Sequence, residues 1–420
     1  MRANLLLVVL LALPAAAQNS LKQMLDAADK QNVDLRIAGQ ALTRAEAEYA
    51  VAWSALVPSL LVSGAVTHNQ FESVIGPPVL PTRLVITPFD QLDGVLRVDL
   101  PLIDTGRWYR TITSSMARQG AADRQEFTRD QIRRGVVSNY YVYAASVAVR
   151  ESARRSLGVS QAQLQLQEIR EKAGAITELD LLRARAEVQR TLQVVADTEN
   201  LVATSRRGLT SLSSVDPGEV ANLPPDDLTA EPAFQELEKN IAVLPAVRAA
   251  ETDAAIADRL ATAQKLSLVP VVGAQFTERV TNATGFSNQW STYTFGLNLT
   301  WRIDVPTFQG MAVQKAQTAT ARLAVEKVCL QARDQIHSDW QRHHAALTKV
   351  QAAQAQVEAA RKAAQVARDR YTAGAGTQLD VIQSERDLFS SEVNQIQART
   401  ELASARAGLR ISAGLPLGID

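Results

Sequence analysis

The sequence predicts a mainly α chain with a small β part, in which two long antiparallel helical hairpins are each preceded by a pair of strands. Three observations predict it. All fifteen prolines lie outside residues 102–216 and 307–415, so two blocks of over a hundred residues lack the strongest helix breaker. Motifs in these blocks recur 200 residues apart, the mark of an internal tandem repeat. Residues 291–303 alternate apolar and polar side chains with a period of two, the strand signal.

The first segment reads as a targeting sequence. Arg2 is its positive region, Leu5 to Leu13 its apolar core and Ala15 to Ala17 its small-residue cleavage site, so residues 1–17 are expected to be a signal peptide. Beyond it, no stretch approaches the ~20 apolar residues of a membrane helix. Lys plus Arg and Asp plus Glu number 44 each, a balance that leaves no basic footprint for nucleic acid. The single cysteine, Cys329, excludes an internal disulfide.

Two repeats are expected, over residues 18–213 and 246–420, joined by a proline-rich connector at 214–245. In the first, strands are expected at about 60–71 and 94–103; in the second, at about 269–280 and 291–303. Tyr293, Phe295, Leu297, Leu299 and Trp301 form one face of the clearest strand, and Thr292, Thr294, Asn298 and Thr300 belong to the other. Such strands are long enough for a tilted pass through a bilayer, with the apolar face to lipid. A soluble sandwich alternates in the same way. Four strands make little sandwich, however, and cannot close a membrane barrel, for which ~8 is the minimum; in lipid, further copies must complete them.

Runs such as 125–171 and 312–370 are rich in the helix formers Ala, Gln, Arg, Glu and Leu, and the helices expected around them, from about 106 to 172 and from 310 to 372, have some 65 residues, on the order of 100 Å at ~1.5 Å per residue. The turns between helices repeat almost residue for residue. Ala173, Gly174, Ala175, Thr177, Leu179 and Asp180 recur as Ala373, Gly374, Ala375, Thr377, Leu379 and Asp380, six identities over eight positions at tips 173–180 and 373–380. Gly174 and Gly374 suit the left-handed residue that ends a helix. Thr177 and Thr377 suit the N-cap of the next, with Asp180 and Asp380 placed to reach back to it.

This ordered set, with the tip pattern Tyr371-x-x-Gly374-x-x-Thr377-x-Leu379-Asp380-Val381, resembles the TolC family of outer-membrane efflux proteins over essentially the whole mature chain. The resemblance implies a homotrimer. Three chains would each give four strands to a 12-stranded barrel in outer-membrane lipid, continued by an α-helical barrel through the periplasm. It implies passive conduction for a periplasmic adaptor and an inner-membrane pump, in efflux or type I secretion, with no cofactor and no enzymatic activity. Gly174, Thr177, Gly374 and Thr377 fall at adaptor-docking tip positions, although each threonine follows its glycine by only three. Asp380 matches the first of two acidic entrance positions; the second falls on Gln383. Gly376 stands where some members carry an arginine. From their equivalent heights on the two tips, Tyr371 is expected to bond to Asp180 and help hold the entrance shut.

The other reading of the same helices is a periplasmic coiled-coil adaptor or scaffold. An adaptor has one hairpin flanked by small Gly-rich β-domains, whereas two hairpins alternate here with two strand pairs. His337, His343 and His344 lack a carboxylate at metal-ligand spacing. No phosphate-cradling loop or nucleophile turn is present, so any energy source belongs to a partner.

Overall fold

The structure, a computed structural model, describes residues 20–76, 84–218, 223–224 and 227–418. The expected signal peptide lies outside the described residues, as do parts of the connector. Eight α-helices and six strands occur among the described residues. The chain divides into a helical unit (Met1–Ala38, Gln125–Pro245 and Cys329–Asp420) and a strand-bearing unit (Gly39–Arg124 and Ala246–Val328).

The repeat is visible in the element boundaries. Helix α3 (Thr105–Lys172) and α7 (Val305–Thr372) are unbroken, 68 residues each, and start and stop 200 residues apart. The returning helices α4 (Glu178–Ser213) and α8 (Gln378–Ser412) keep the same offset at their starts. Upstream, α2 (Val33–Ser54) and α6 (Pro245–Leu266) are offset by 212, as are β1 (Ser59–His68) and β5 (Val271–Thr281) at their starts. The offset changes because the first strand connection, 69–89, is 21 residues and the second, 282–290, is 9. The longer one holds a small hairpin, β2 (Ser73–Ile75) with β3 (Leu84–Thr87), which the alternation did not predict. A three-residue strand is too short for a period of two to register.

In the strand-bearing unit, β1, β4 (Asp90–Ile103), β5 and β6 (Ser291–Thr300) form one antiparallel sheet in the order β1-β4-β5-β6. The expected strand at 60–71 thus ends at His68, and the one at 291–303 ends at Thr300. Trp301 therefore lies one residue beyond β6, where its indole Nε1 donates to the Leu268 carbonyl at 2.9 Å. Among the described residues, the outer strands β1 and β6 each have an edge with no partner strand.

In the helical unit, α1 (Leu21–Gln31) starts at a Ser20/Gln23 capping box and packs Leu21, Met24, Leu25 and Ala28 onto α3 and α4. There Ile132, Val136, Val137, Tyr140, Tyr143 and Val147 meet Val202 and Leu209. The second hairpin has a smaller seam, with Ala346, Val350 and Ala353 on α7 against Ala398, Leu402 and Ala405 on α8. Alanines let two helix axes approach closely, and the polar remainder of each helix stays in water. At the start of α8, Leu379 is exposed and Val381 and Ile382 are the buried pair.

Candidate functional site: hairpin tips and a two-faced sheet

Two surfaces carry the chemistry, one in each unit. At the tips, each outgoing helix ends in a full Schellman motif. Gly174 (φ 70°) donates its N–H to the Glu171 carbonyl at 2.8 Å, and Ala175 to Arg170 at 2.9 Å. Gly374 (φ 74°) and Ala375 repeat this on Tyr371 and Arg370, at 3.1 and 2.8 Å. A side chain at either glycine would meet open space, so it is the left-handed backbone that calls for glycine.

The caps differ in one atom. Thr377 Oγ1 accepts the Asp380 N–H at 3.2 Å, and the Asp380 carboxylate accepts the Thr377 N–H at 3.0 Å, a complete capping box. At the first tip the Asp180 N–H likewise bonds to Thr177 Oγ1, at 3.3 Å, but its carboxylate takes the Thr177 hydroxyl, at 2.8 Å. The Thr377 backbone and side-chain bonds hold the Asp380 carboxyl below the usual carboxylate range, so it is ionised wherever its neighbours are. Asp380 and Gln383 are exposed, as are Gly174, Thr177, Gly374 and Thr377. Gln383 Nε2 donates along its own helix to Asp387 at 3.0 Å.

Gly376 answers to a different constraint. A Cβ there would stand 3.2 Å from both the Arg370 Cβ and the Tyr371 nitrogen, so the second tip folds too closely onto its helix end to accept an arginine without shifting.

The expected Tyr371–Asp180 bond does not form. The Tyr371 hydroxyl donates to Oε1 of Gln167, a fully buried residue on α3, at 2.9 Å, and the Arg170 guanidinium lies over the Tyr371 ring at 4.8 Å. Asp180 is engaged by its own cap and by Arg183 at 3.6 Å. The N-cap competes for that carboxylate and wins because it is only three residues away. Two turns or so behind the tips, the buried Glu187 of α4 accepts from Arg190 and, at 3.0 Å, from Arg386 of α8. Burial pushes the Glu187 carboxyl up and these two arginines outweigh it, leaving it below the ordinary range. Arg368 pairs with Glu385 at 3.1 Å in the same region. Sequence reasoning missed Gln167, Glu187 and Arg386, since pairs between different helices leave no local spacing to read.

The sheet largely separates its side chains by chemistry, with a charged exception within the apolar face, Glu278, which lies opposite Leu96 and Tyr293 and accepts from the Ser291 hydroxyl at 3.0 Å. Register places Leu60, Val62 and Val66 of β1 with Leu92, Leu96, Val98 and Leu100 of β4 on one face. Val272, Ala274 and Phe276 of β5 and Tyr293, Phe295, Leu297 and Leu299 of β6 continue it. The opposite face holds Ser59, Ser63 and Thr67, then Asp93, Arg97 and Asp99, then Gln275, Thr277 and Arg279, then Thr292, Thr294 and Asn298. Tyr293, Phe295, Leu297, Leu299 and Trp301 are 60–75% exposed. No helix among the described residues is long and apolar enough to cross a membrane.

The outer membrane efflux protein family model matches residues 24–214 and 237–415. No curated protein sequence matches the chain. Among solved structures, the chain is similar to CusC, at 16% identity and a TM-score of 0.82 over 95% of this chain and 93% of that one. It is also similar to the outer-membrane channel OprN, at 22% and 0.78 over 94% and 90%. The CmeC outer membrane channel of Campylobacter jejuni follows at 15% and 0.81, over 95% and 87%. These likenesses do not favour the adaptor reading. The two matched segments take in most of the chain, which belongs to the outer membrane efflux protein family, a family of exit ducts and not of enzymes.

Proposed function

We propose that three copies of this chain form one passive duct across the outer membrane, and that it works with a periplasmic adaptor and an inner-membrane pump. The observation that carries this is the sheet. Its apolar face, from Leu92 to Leu100 along β4, runs about 27 Å at ~3.4 Å per residue, close to the ~25 Å apolar band of an outer-membrane barrel. Its two edges, β1 and β6, cannot stay open in lipid, where every backbone group needs a partner. A second copy supplies the missing strand, and three copies give a closed barrel of twelve.

The rest of the chain suits this role. Trp53, Trp108, Trp301 and Phe308, all exposed in the strand-bearing unit at the helix-side end of the sheet, suit an interfacial girdle. Each repeat, 18–213 and 246–420, supplies one strand pair and one hairpin, with 214–245 joining them. The hairpins would line a periplasmic passage, with Gly174, Thr177, Gly374 and Thr377 as adaptor contacts. Asp380 from each copy would form an anionic ring at the entrance, favouring cations. With Gln383 at the second position, the ring is weaker than a double one. Tyr371, through Gln167, and Asp180, through its cap, would shape the same entrance.

Membrane fractionation with unheated gel electrophoresis tests the reading. The expected result is a detergent-stable trimer in the outer-membrane fraction with single-channel conductance in planar bilayers; a periplasmic monomer overturns it.

A further inference from the structure

The polar face of the sheet is not uniformly polar. All four charged side chains that it carries within the strands sit on the two central strands: Asp93, Arg97 and Asp99 on β4, and Arg279 on β5. The outer strands offer hydroxyls and an amide there, from Ser59, Ser63 and Thr67 on one side and Thr292, Thr294 and Asn298 on the other. Register also gives the charges an order. From the loop end towards the helices, Asp93 comes first, Arg279 next (opposite Val95), then Arg97 (opposite Thr277), then Asp99 (opposite Gln275). Arg279 Nη2 lies 2.7 Å from Asp93 Oδ1, and Arg97 Nε donates to Asp99 Oδ1 at 2.9 Å. Both arginine side chains remain over 40% exposed. Exposed pairs of this kind add little to stability, and a hydroxyl would satisfy a wet face as well.

We infer that Arg97 and Arg279, bracketed by Asp93 and Asp99, form a charge filter inside the barrel, separate from the Asp380 ring at the tips. This rests on the duct reading, since only a closed barrel turns the face into a lumen. In a trimer, two arginines from each chain make one basic belt between an outer and an inner ring of carboxylates. The charges cancel in sum but not in space. A permeating ion of either sign meets an attractive and a repulsive layer in turn, so the wild-type belt holds the barrel near neutral selectivity while Asp380 biases the entrance. Removing one sign exposes the other.

The test uses the full-length protein in planar bilayers under a salt gradient, with the cation-to-anion permeability ratio as readout. In the Arg97→Gln/Arg279→Gln double variant the ratio is expected to rise about threefold, the scale of a unit charge several ångströms from an ion in water. Asp93→Asn/Asp99→Asn is expected to lower it by a similar factor. Arg97→Lys/Arg279→Lys keeps the charge and the wild-type ratio, which separates charge from folding. Each pair is repeated with Asp380→Asn, so that a dominant entrance cannot hide the belt. Intact conducting trimers whose ratio stays unchanged in both backgrounds overturn the filter and leave the duct standing. A wild-type protein that forms no conducting trimer overturns the duct, and the filter with it.

Discussion

Tyr371 shows how far a single side chain departs from what tip symmetry suggests. Its hydroxyl reaches the fully buried Gln167, whose Oε1 it satisfies. Tyr371→Phe leaves that oxygen without a donor, at a cost of about 1–3 kcal/mol. Adding Gln167→Leu removes the stranded acceptor and is expected to recover part of the loss, a non-additivity that a double-mutant cycle of thermal stability measures. Additive losses would show that the two side chains are not coupled. Asp380 has a depressed pKa in the folded tip. The stability it contributes is therefore present above the ordinary aspartate range and is lost as pH falls through its folded value. A fall in amide protection factors at Val381 and Ile382 on acidification, absent in Asp380→Asn, is the expected signature.

At the scale of elements, the connector is tied to α7 and α8 by a row of arginines. Arg406 and Arg410 meet Glu231, Arg333 meets Glu238, and Trp340 Nε1 donates to the Pro232 carbonyl at 3.3 Å. His337 packs edge-on to Phe234, and His343, 3% exposed, lies in the same region with Nε2 unpartnered. Burial lowers the His343 pKa and nearby Arg406, His344 and Arg410 lower it further, against Glu231. The sign follows. Near neutral pH the imidazole is uncharged whether or not the segment is docked, so there is no penalty. As pH falls below the ordinary imidazole value of ~6.5, the undocked state takes up the proton first and docking weakens. Amide protection factors in α5 (Phe234–Glu238) are expected to fall between neutral and mildly acidic pH, and His343→Leu to flatten that dependence. The long helices depend on their ends as much as on their seams: Gly374→Ala forces a Cβ into the left-handed region and is expected to cost about 1 kcal/mol at the second tip.

For the whole molecule, the two faces of the sheet give the sharpest contrast. Leu297 and Asn298 are neighbours on β6 and point to opposite faces. Leu297→Arg places a cation on the apolar face, where the cost is about 2–4 kcal/mol per chain at mid-bilayer and less towards the interfaces. Outer-membrane trimer on unheated gels is expected to fall sharply. Asn298→Arg is expected to leave trimer levels near wild type, and equal losses in the two variants would contradict the assignment of faces.

Helix, hairpin tip and strand were legible in the sequence wherever their signal is local. The proline gaps bounded the two hairpins, α3 with α4 and α7 with α8, apart from Pro306 in the first turn of α7; the repeated Gly-Thr-Asp marked both Schellman motifs and both caps, and the alternation in 291–303 separated the faces of β6 before any register was known. Each is governed by residues within a few positions of one another, through backbone conformation, hydrogen bonds to adjacent amides or the pleat of a strand. What only the tertiary structure decided involves residues far apart in the chain. Tyr371 bonds to Gln167 rather than Asp180, Glu187 joins α4 to α8, and the acid–base–base–acid order across β4 and β5 exists only once their register is set. Such contacts depend on which helix faces and which strand positions meet, and no spacing along a single segment encodes that.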